Sequence, residues 1–191
     1  MPRLHVISAS TRSVSAGRPF ARWVADLARE QLGPLGFEIT LVDLLEVGLP
    51  FLDEPEHPAE GRYVHRHTKE WSATIGGADA FVFVMPMYNG GFSAPLKNAI
   101  DSLHQEWRDK PVGLISYSAG TSGGAPAVEM IRPVLRRVGL RPAERSLSVP
   151  GISGHIGPDL LFRPTPTLLA DTGAVLSAVA AQLTAPQPAS A

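Results

Sequence analysis

Three short segments of this sequence carry the residue types from which a ligand site can be built. The first is Ser8-Ala9-Ser10-Thr11-Arg12-Ser13-Val14-Ser15-Ala16-Gly17. Ser10, Thr11, Ser13 and Ser15 offer hydroxyls, and Arg12 offers a guanidinium, just ahead of a stretch with helical spacing. Free N–H groups at a helix start, hydroxyl donors and a fixed cationic fork are what a phosphate group needs. The same residues also read as an N-cap cluster on a solvated turn. The second segment is Pro86-Met87-Tyr88-Asn89-Gly90-Gly91. Here Tyr88 can lie against a flat ring, Asn89 can pair with ring heteroatoms, and backbone can approach closely at Gly90. An ordinary Asn-Gly turn is the alternative. The third is Ser116-Tyr117-Ser118-Ala119-Gly120-Thr121-Ser122-Gly123-Gly124. The N–H groups of Ser118, Ala119 and Gly120 can face the carbonyls of the same ring; alternatively the loop is a connector.

Other chemistry finds little support. With no Cys in the chain, disulfides, thiol nucleophiles and cysteine-held zinc or iron–sulfur centres are excluded. His65-Arg66-His67 suggests a metal, but no carboxylate partner can be placed. No metal site is expected. Ser116 and Ser118 lack the G-x-S-x-G elbow of a hydrolase. Asp101 and Glu106 read as solvated charge, and Trp23, Trp71 and Trp107 as packing residues. Neither G-x-G-x-x-G nor G-x-x-x-x-G-K-[ST] occurs, so dinucleotide-type and P-loop fingerprints are missing.

The elements that must position these segments follow from hydrophobic spacing. Leu4–Ile7, Phe37–Val42, Ala80–Val84, Val112–Tyr117 and Arg145–Val149 read as strands. The unbroken apolar run Ala80-Phe81-Val82-Phe83-Val84 points to burial on both faces, as in a parallel sheet. Phe20, Val24, Leu27, Ala28 and Leu32 recur at helical steps until Gly33-Pro34 ends them. Further helices are expected at Thr68–Ile75, Ala94–Leu103, Ala127–Val138 and Thr167–Leu183. Pro86–Ser93 reads as a loop, and so does Leu44–His67, which is too long to be only a connector. Strands alternating with helices predict an α/β fold with a doubly wound parallel sheet of order 2-1-3-4-5. Ligands in such sheets bind beyond the carboxyl ends of the strands, where all three segments fall.

The 191 residues suggest a single domain over residues 1–183 and a frayed tail over 184–191. An apolar fraction of 44% excludes disorder over most of the chain. Charges of 17 basic against 18 acidic residues give no electrostatic footprint for nucleic acid. No apolar run of about 18 residues signals a membrane span, and no signal peptide is evident. A soluble cytoplasmic protein is expected.

Together these residues resemble the NADPH-dependent FMN reductase family. Ser10-Thr11-Arg12 is similar to its phosphate loop, with Ala9 where the family usually has Gly. Asp43-Leu44, Leu49-Pro50, Asp53-Glu54-Pro55 and Thr68-Lys69-x-Trp71-Ser72 are similar to its middle stretch. Pro86-x-Tyr88-Asn89 followed by Pro95-Leu96-Lys97-Asn98-Ala99-Ile100-Asp101 is the most specific match. The resemblance covers roughly residues 3–150 and implies a flavodoxin-like three-layer sandwich that holds FMN. Its phosphate would lie on Ser10, Thr11, Arg12, Ser15 and Gly17. Its ring would lie between Pro86, Met87, Tyr88, Asn89, Gly90 on one side and Ser118, Ala119, Gly120 on the other. NADPH or NADH would be the co-substrate. A quinone, flavin, azo compound or metal oxyanion would be the acceptor. No side chain need act as acid or base, because the cofactor carries the chemistry. A homodimer or homotetramer is implied, with Leu49, Phe51, Leu52 and Phe92 near the contact. A flavodoxin-type electron carrier is the competing reading, although such carriers are usually strongly acidic and this chain is nearly neutral.

Overall fold

The computed structural model describes residues 1–184; the part of the expected tail from 185 to 191 lies outside the described residues. Strands β1 (Arg3–Ser8), β2 (Glu38–Asp43), β3 (Ala80–Tyr88), β4 (Gly91–Phe92), β5 (Pro111–Tyr117) and β6 (Arg141–Val149) alternate with helices. The helices are α1 (Gly17–Leu32), α2 (Leu44–Val47), α3 (Arg66–Gly76), α4 (Ala94–Asp101), α5 (Ala125–Arg137) and α6 (Pro166–Thr184). The parallel strands run in the order β2-β1-β3-β5-β6, and β4 pairs only with β3. That is the expected doubly wound order with one added hairpin strand.

Alternation along the strands divides the core in two. Leu4, Val6, Val82 and Val84 face α1 and α6, where Phe20, Val24, Val175 and Val179 meet them. Ile7, Phe81, Phe83 and Met85 face the other way, onto Trp71, Ile100, Trp107, Ile131 and Leu135. A two-residue side-chain period makes this unavoidable once both faces are covered. Helix α6 is long and apolar enough to cross a bilayer on composition alone. One side of it, with Leu168, Val175, Leu176 and Val179, instead packs on the sheet.

Two segments differ from expectation. The first strand-to-helix loop after the central strand is not a plain loop. Strand β3 continues through Met87 and Tyr88, and the chain then folds back so that Met87 pairs with Phe92 and Tyr88 with Gly91. Asn89 and Gly90 between them both have positive φ, at 50° and 84°. That is the conformation of a two-residue hairpin turn whose twist suits the strands, and Asn-Gly is its preferred sequence. The second is Leu44–His67. It contains α2, capped by Asp43 through the N–H of Leu45 at 3.0 Å, and a short 3₁₀ turn at Pro58–Glu60. Helix α3 begins within it, at Arg66. His65 is thus the N-cap of a helix, within a stretch that the sequence reads as loop. Its ring stacks on His67 with centroids 5.2 Å apart, and His67 Nε2 lies 3.1 Å from an Asp53 carboxylate oxygen.

Candidate functional site

A parallel sheet sends every strand-to-helix connection to one edge, and the cleft forms there. A hollow of about 350 Å³ is lined by Arg12, Val14, Ser15 and Ala16 after β1, Pro86, Met87 and Tyr88 at the end of β3, and Tyr117, Ser118 and Ala119 after β5. Ile152 and Ser153, after β6, complete it. Of the expected site residues, the structure therefore brings together Arg12, Ser15, Pro86, Met87, Tyr88, Ser118 and Ala119.

The others support this lining or stand beside it. Ser10 is buried beneath the loop and accepts a hydrogen bond from Ser15 Oγ at 3.0 Å. Ser15 Oγ in turn accepts from the N–H of Gly17 at 3.1 Å, which holds the start of α1 under the loop. Gly17 answers to packing, since a Cβ there would overlap the Tyr117 hydroxyl. Thr11 lines a different hollow, of about 310 Å³, with Leu44, Leu45, Leu49, Phe51 and Pro95. Asn89 and Gly90 form the exposed tip of the β3–β4 hairpin, outside the cleft lining. An added Cβ at Gly90 meets no protein atom within 4 Å, so the protein's own demand for glycine there comes from its φ of +84°. Gly120 accepts through its carbonyl from Ser118 Oγ at 3.1 Å, which closes the third loop on itself.

Ala9, standing where a glycine is usual, is accommodated without strain. Its N–H donates to the Val84 carbonyl at 3.0 Å, and its carbonyl accepts from Ser93 Oγ at 2.7 Å. The second bond ties the first loop to the start of α4. Asn98, in the Leu96–Asp101 stretch, spends its whole amide on the long loop. Its Nδ2 donates to the Pro50 carbonyl at 2.8 Å, and its Oδ1 accepts from the Leu52 N–H at 2.9 Å.

The polar end of the cleft is short of acceptors. Among the described residues, no protein group accepts from the backbone N–H groups of Ser10 to Ala16. Tyr117 Oη is buried without a hydrogen-bond partner, although it faces the Ser10–Ser15 pair. Burial pushes the Tyr117 phenol up to about 12, so it remains a neutral O–H donor. Arg12 is exposed at the rim. Donors that no protein group engages, beside a cation, suit a phosphate, whose oxygens accept several hydrogen bonds at once. The opposite end, with Met87, Tyr88 and the Ser118–Ala119 backbone, is less polar and open to solvent. Neither a carboxylate nor an imidazole lines the cleft among the described residues.

Sequence reasoning missed Ile152 and Ser153. The signal was available: Pro150-Gly151 follows a strand, and its loop must join the other connections at the same edge.

Residues 2–153 match the family of NADPH-dependent FMN reductases. The chain belongs to this family. An NAD(P)H-dependent FMN reductase of Schizosaccharomyces pombe is 36% identical over 168 residues, covering 84% of this chain and 82% of that protein. A quinone reductase of Pseudomonas putida is 31% identical over 136 residues, covering 68% and 67%. Among solved structures, the flavoenzyme NAD(P)H:(acceptor) oxidoreductase FerB from Paracoccus denitrificans superposes with a TM-score of 0.75. It is 20% identical and covers 95% of this chain and 99% of that one. A flavodoxin from Pseudomonas aeruginosa superposes with a TM-score of 0.55 at 19% identity, covering 96% and 99%. Both likenesses describe the fold, which is flavodoxin-like. FMN is the cofactor that membership of this family brings.

Proposed function

We propose that this chain is an FMN-dependent NAD(P)H oxidoreductase that holds the flavin in the edge cleft and passes electrons to a quinone or another flat acceptor. The observation that carries this reading is the cleft's two-ended chemistry. Arg12, Ser15, Tyr117 Oη and unpaired N–H groups gather at one end, and Met87, Tyr88 and the Ser118–Ala119 backbone at the other. When bound, FMN supplies the two-electron chemistry between NAD(P)H and the acceptor. The protein's part is to hold and orient. The Ser15–Ser10 hydrogen bond ties the two ends of the first loop together, which limits the reorganisation needed to receive a ligand. Tyr88 sits at the end of a strand braced by its own hairpin, which gives the second loop more rigidity than a free connection would have. Asn89 and Gly90 form the turn that closes that brace.

A quinone as acceptor fits the curated relatives named quinone reductases, and flavin, azo and metal-oxyanion acceptors fit the same open ring end. The exposed apolar residues Phe51, 80% exposed, and Leu52 stand beside the hollow that Thr11 lines. We assign this face to a homodimer or homotetramer contact and the protein to the cytoplasm; light scattering that finds only monomer at micromolar concentration overturns the contact. The activity is tested by purifying the protein with FMN and following NADPH and NADH oxidation with and without a quinone. Turnover by the protein alone supports a reductase. FMN binding without NAD(P)H oxidation would instead make it a flavodoxin-type carrier.

A further inference from the structure

Beside the flavin cleft lies a second one, of about 470 Å³, lined by Ser13–Ala16, Arg18, Pro19, Arg22, Ser153, Ile156 and Leu160. The two share Val14, Ser15, Ala16 and Ser153, so the first loop is a common wall. The new cleft therefore opens from the phosphate end of the flavin site and not from its ring end. Its size falls within the usual range of about 300–1,000 Å³ for small-molecule sites.

The lining divides into cations and an apolar platform. Arg18 is anchored by Nε to Asp43 at 2.8 Å, while its Nη2 is buried with no partner. Asp43 is already spent on that bond and on capping α2. Arg22, one helical turn on, is exposed and makes no ion pair or hydrogen bond among the described residues. The two guanidiniums share one side of α1, as positions four apart must. Opposite them is a tight hairpin, closed by the Gly157 N–H on the Leu161 carbonyl at 2.9 Å and by the Ile156–Phe162 bridge. Phe162 anchors its base against Phe20 and Trp23, with ring centroids 4.6 and 4.8 Å away. Leu160 at its tip is 73% exposed and has a φ of 59°, a costly conformation for a branched side chain.

The geometry points to a subsite for the phosphorylated adenosine half of a dinucleotide. A phosphate would take the free donors of Arg18 and Arg22, and the base would lie on Ile156, Leu160 and Val14. This rests on the reading of the edge cleft as the flavin site. Two dinucleotides present that chemistry next to a flavin phosphate. One is NADPH, through its adenosine 2′-phosphate; the other is FAD, through its adenylate.

The test uses Arg22→Glu, an exposed position whose reversal leaves the core untouched. Adenosine 2′,5′-bisphosphate, 5′-AMP and adenosine are titrated calorimetrically into FMN-loaded wild type and variant. FAD and FMN affinities of the flavin-free proteins are measured alongside. Expected is bisphosphate binding that weakens about tenfold or more in the variant, in keeping with the loss of a charge-assisted bond. FMN affinity should not change. If NADPH is the source, its KM rises by the same factor while kcat and the KM for NADH stay put. If FAD is the source, FAD affinity falls while the KM for NADPH stays put. Normal FMN loading with bisphosphate, FAD and NADPH all indifferent to Arg22→Glu overturns the subsite alone. Failure to load FMN at all overturns the flavin site and the subsite with it.

Discussion

Arg12 and Tyr117 show what single side chains contribute to this cleft. Arg12 stands at the exposed rim of the cleft, and in the proposed reading its charge meets the FMN phosphate. Hydrogen bonds to charged groups are worth roughly 1.5–3 kcal/mol each. Arg12→Ala is therefore expected to weaken FMN about tenfold or more while riboflavin affinity barely changes. Paired fluorescence titrations with the two flavins decide it, and equal losses would remove the phosphate from the first loop. Tyr117 is the opposite case, a buried hydroxyl with no protein partner. Tyr117→Phe should leave the flavin-free protein as stable or slightly more so, because an unsatisfied group is removed. FMN affinity should drop in the same variant if the hydroxyl donates to the ligand.

At the scale of elements, the long segment between β2 and α3 depends on one amide. Asn98 on α4 binds both the Pro50 carbonyl and the Leu52 N–H. Asn98→Ala is expected to cost about 1–2 kcal/mol and to open the Leu49–Leu52 stretch to limited proteolysis, while the sheet stays intact. Unchanged cleavage rates would mean that α2 and the 3₁₀ turn hold the segment without it. The β3–β4 hairpin gives a second case. Asn89→Ala places a side chain that tolerates positive φ poorly at 50°, so the tip should loosen and Tyr88 lose its brace. Stopped-flow flavin reduction by NADPH should then slow more than FMN affinity falls. These elements also mark the limits of what the chain's pattern reveals. Strands β3 and β5 were legible because their apolar runs are continuous, whereas the mixed sequence of β6 showed only its last five residues. The Asn-Gly turn was open as an alternative, but the strand pairing that it closes was not expected, because Pro86 and two glycines look like loop residues. Arg12, Ser15 and Tyr88 were legible from residue type. Ile152 and Ser153 were missed, because their residue types do not speak of a ligand and only the Pro150-Gly151 break after a strand marks their loop as one of the edge connections.

For the whole molecule, three groups bound the pH range of stability, two of them buried and Tyr63 half-buried. Burial lowers His5 below its usual value, with the charges of Arg3 and Lys110 adding to the effect. The unfolded chain then binds the extra proton more readily, so stability falls as pH drops below about 6.5. Tyr117 and Tyr63 are both raised, Tyr117 to about 12 chiefly by burial, and Tyr63 by desolvation with Glu106 beside it. An unfolded tyrosine ionises near pH 10, so stability present below that value declines as pH climbs toward about 12. Urea titrations across pH should show both limbs, and Tyr117→Phe should flatten the alkaline one by about one proton. An alkaline slope identical to wild type would mean that Tyr117 ionises as freely in the fold as out of it.

The sheet order also governs when the cleft can exist. Strand β1 pairs with β3 at Leu4 and Ala80, and β5 joins beyond, so the loops that line the cleft are neighbours only after distant parts of the chain have met. Non-local parallel pairings form slowly, because loop closure comes before any contact rewards it. Helices α1 and α6, by contrast, can begin to form from local contacts. In a refolding experiment started with flavin present, helical ellipticity should therefore return ahead of the quenching of FMN fluorescence. The ligand acts as a clock for the last step of assembly, and simultaneous recovery of both signals would show that the site is templated earlier than its topology requires.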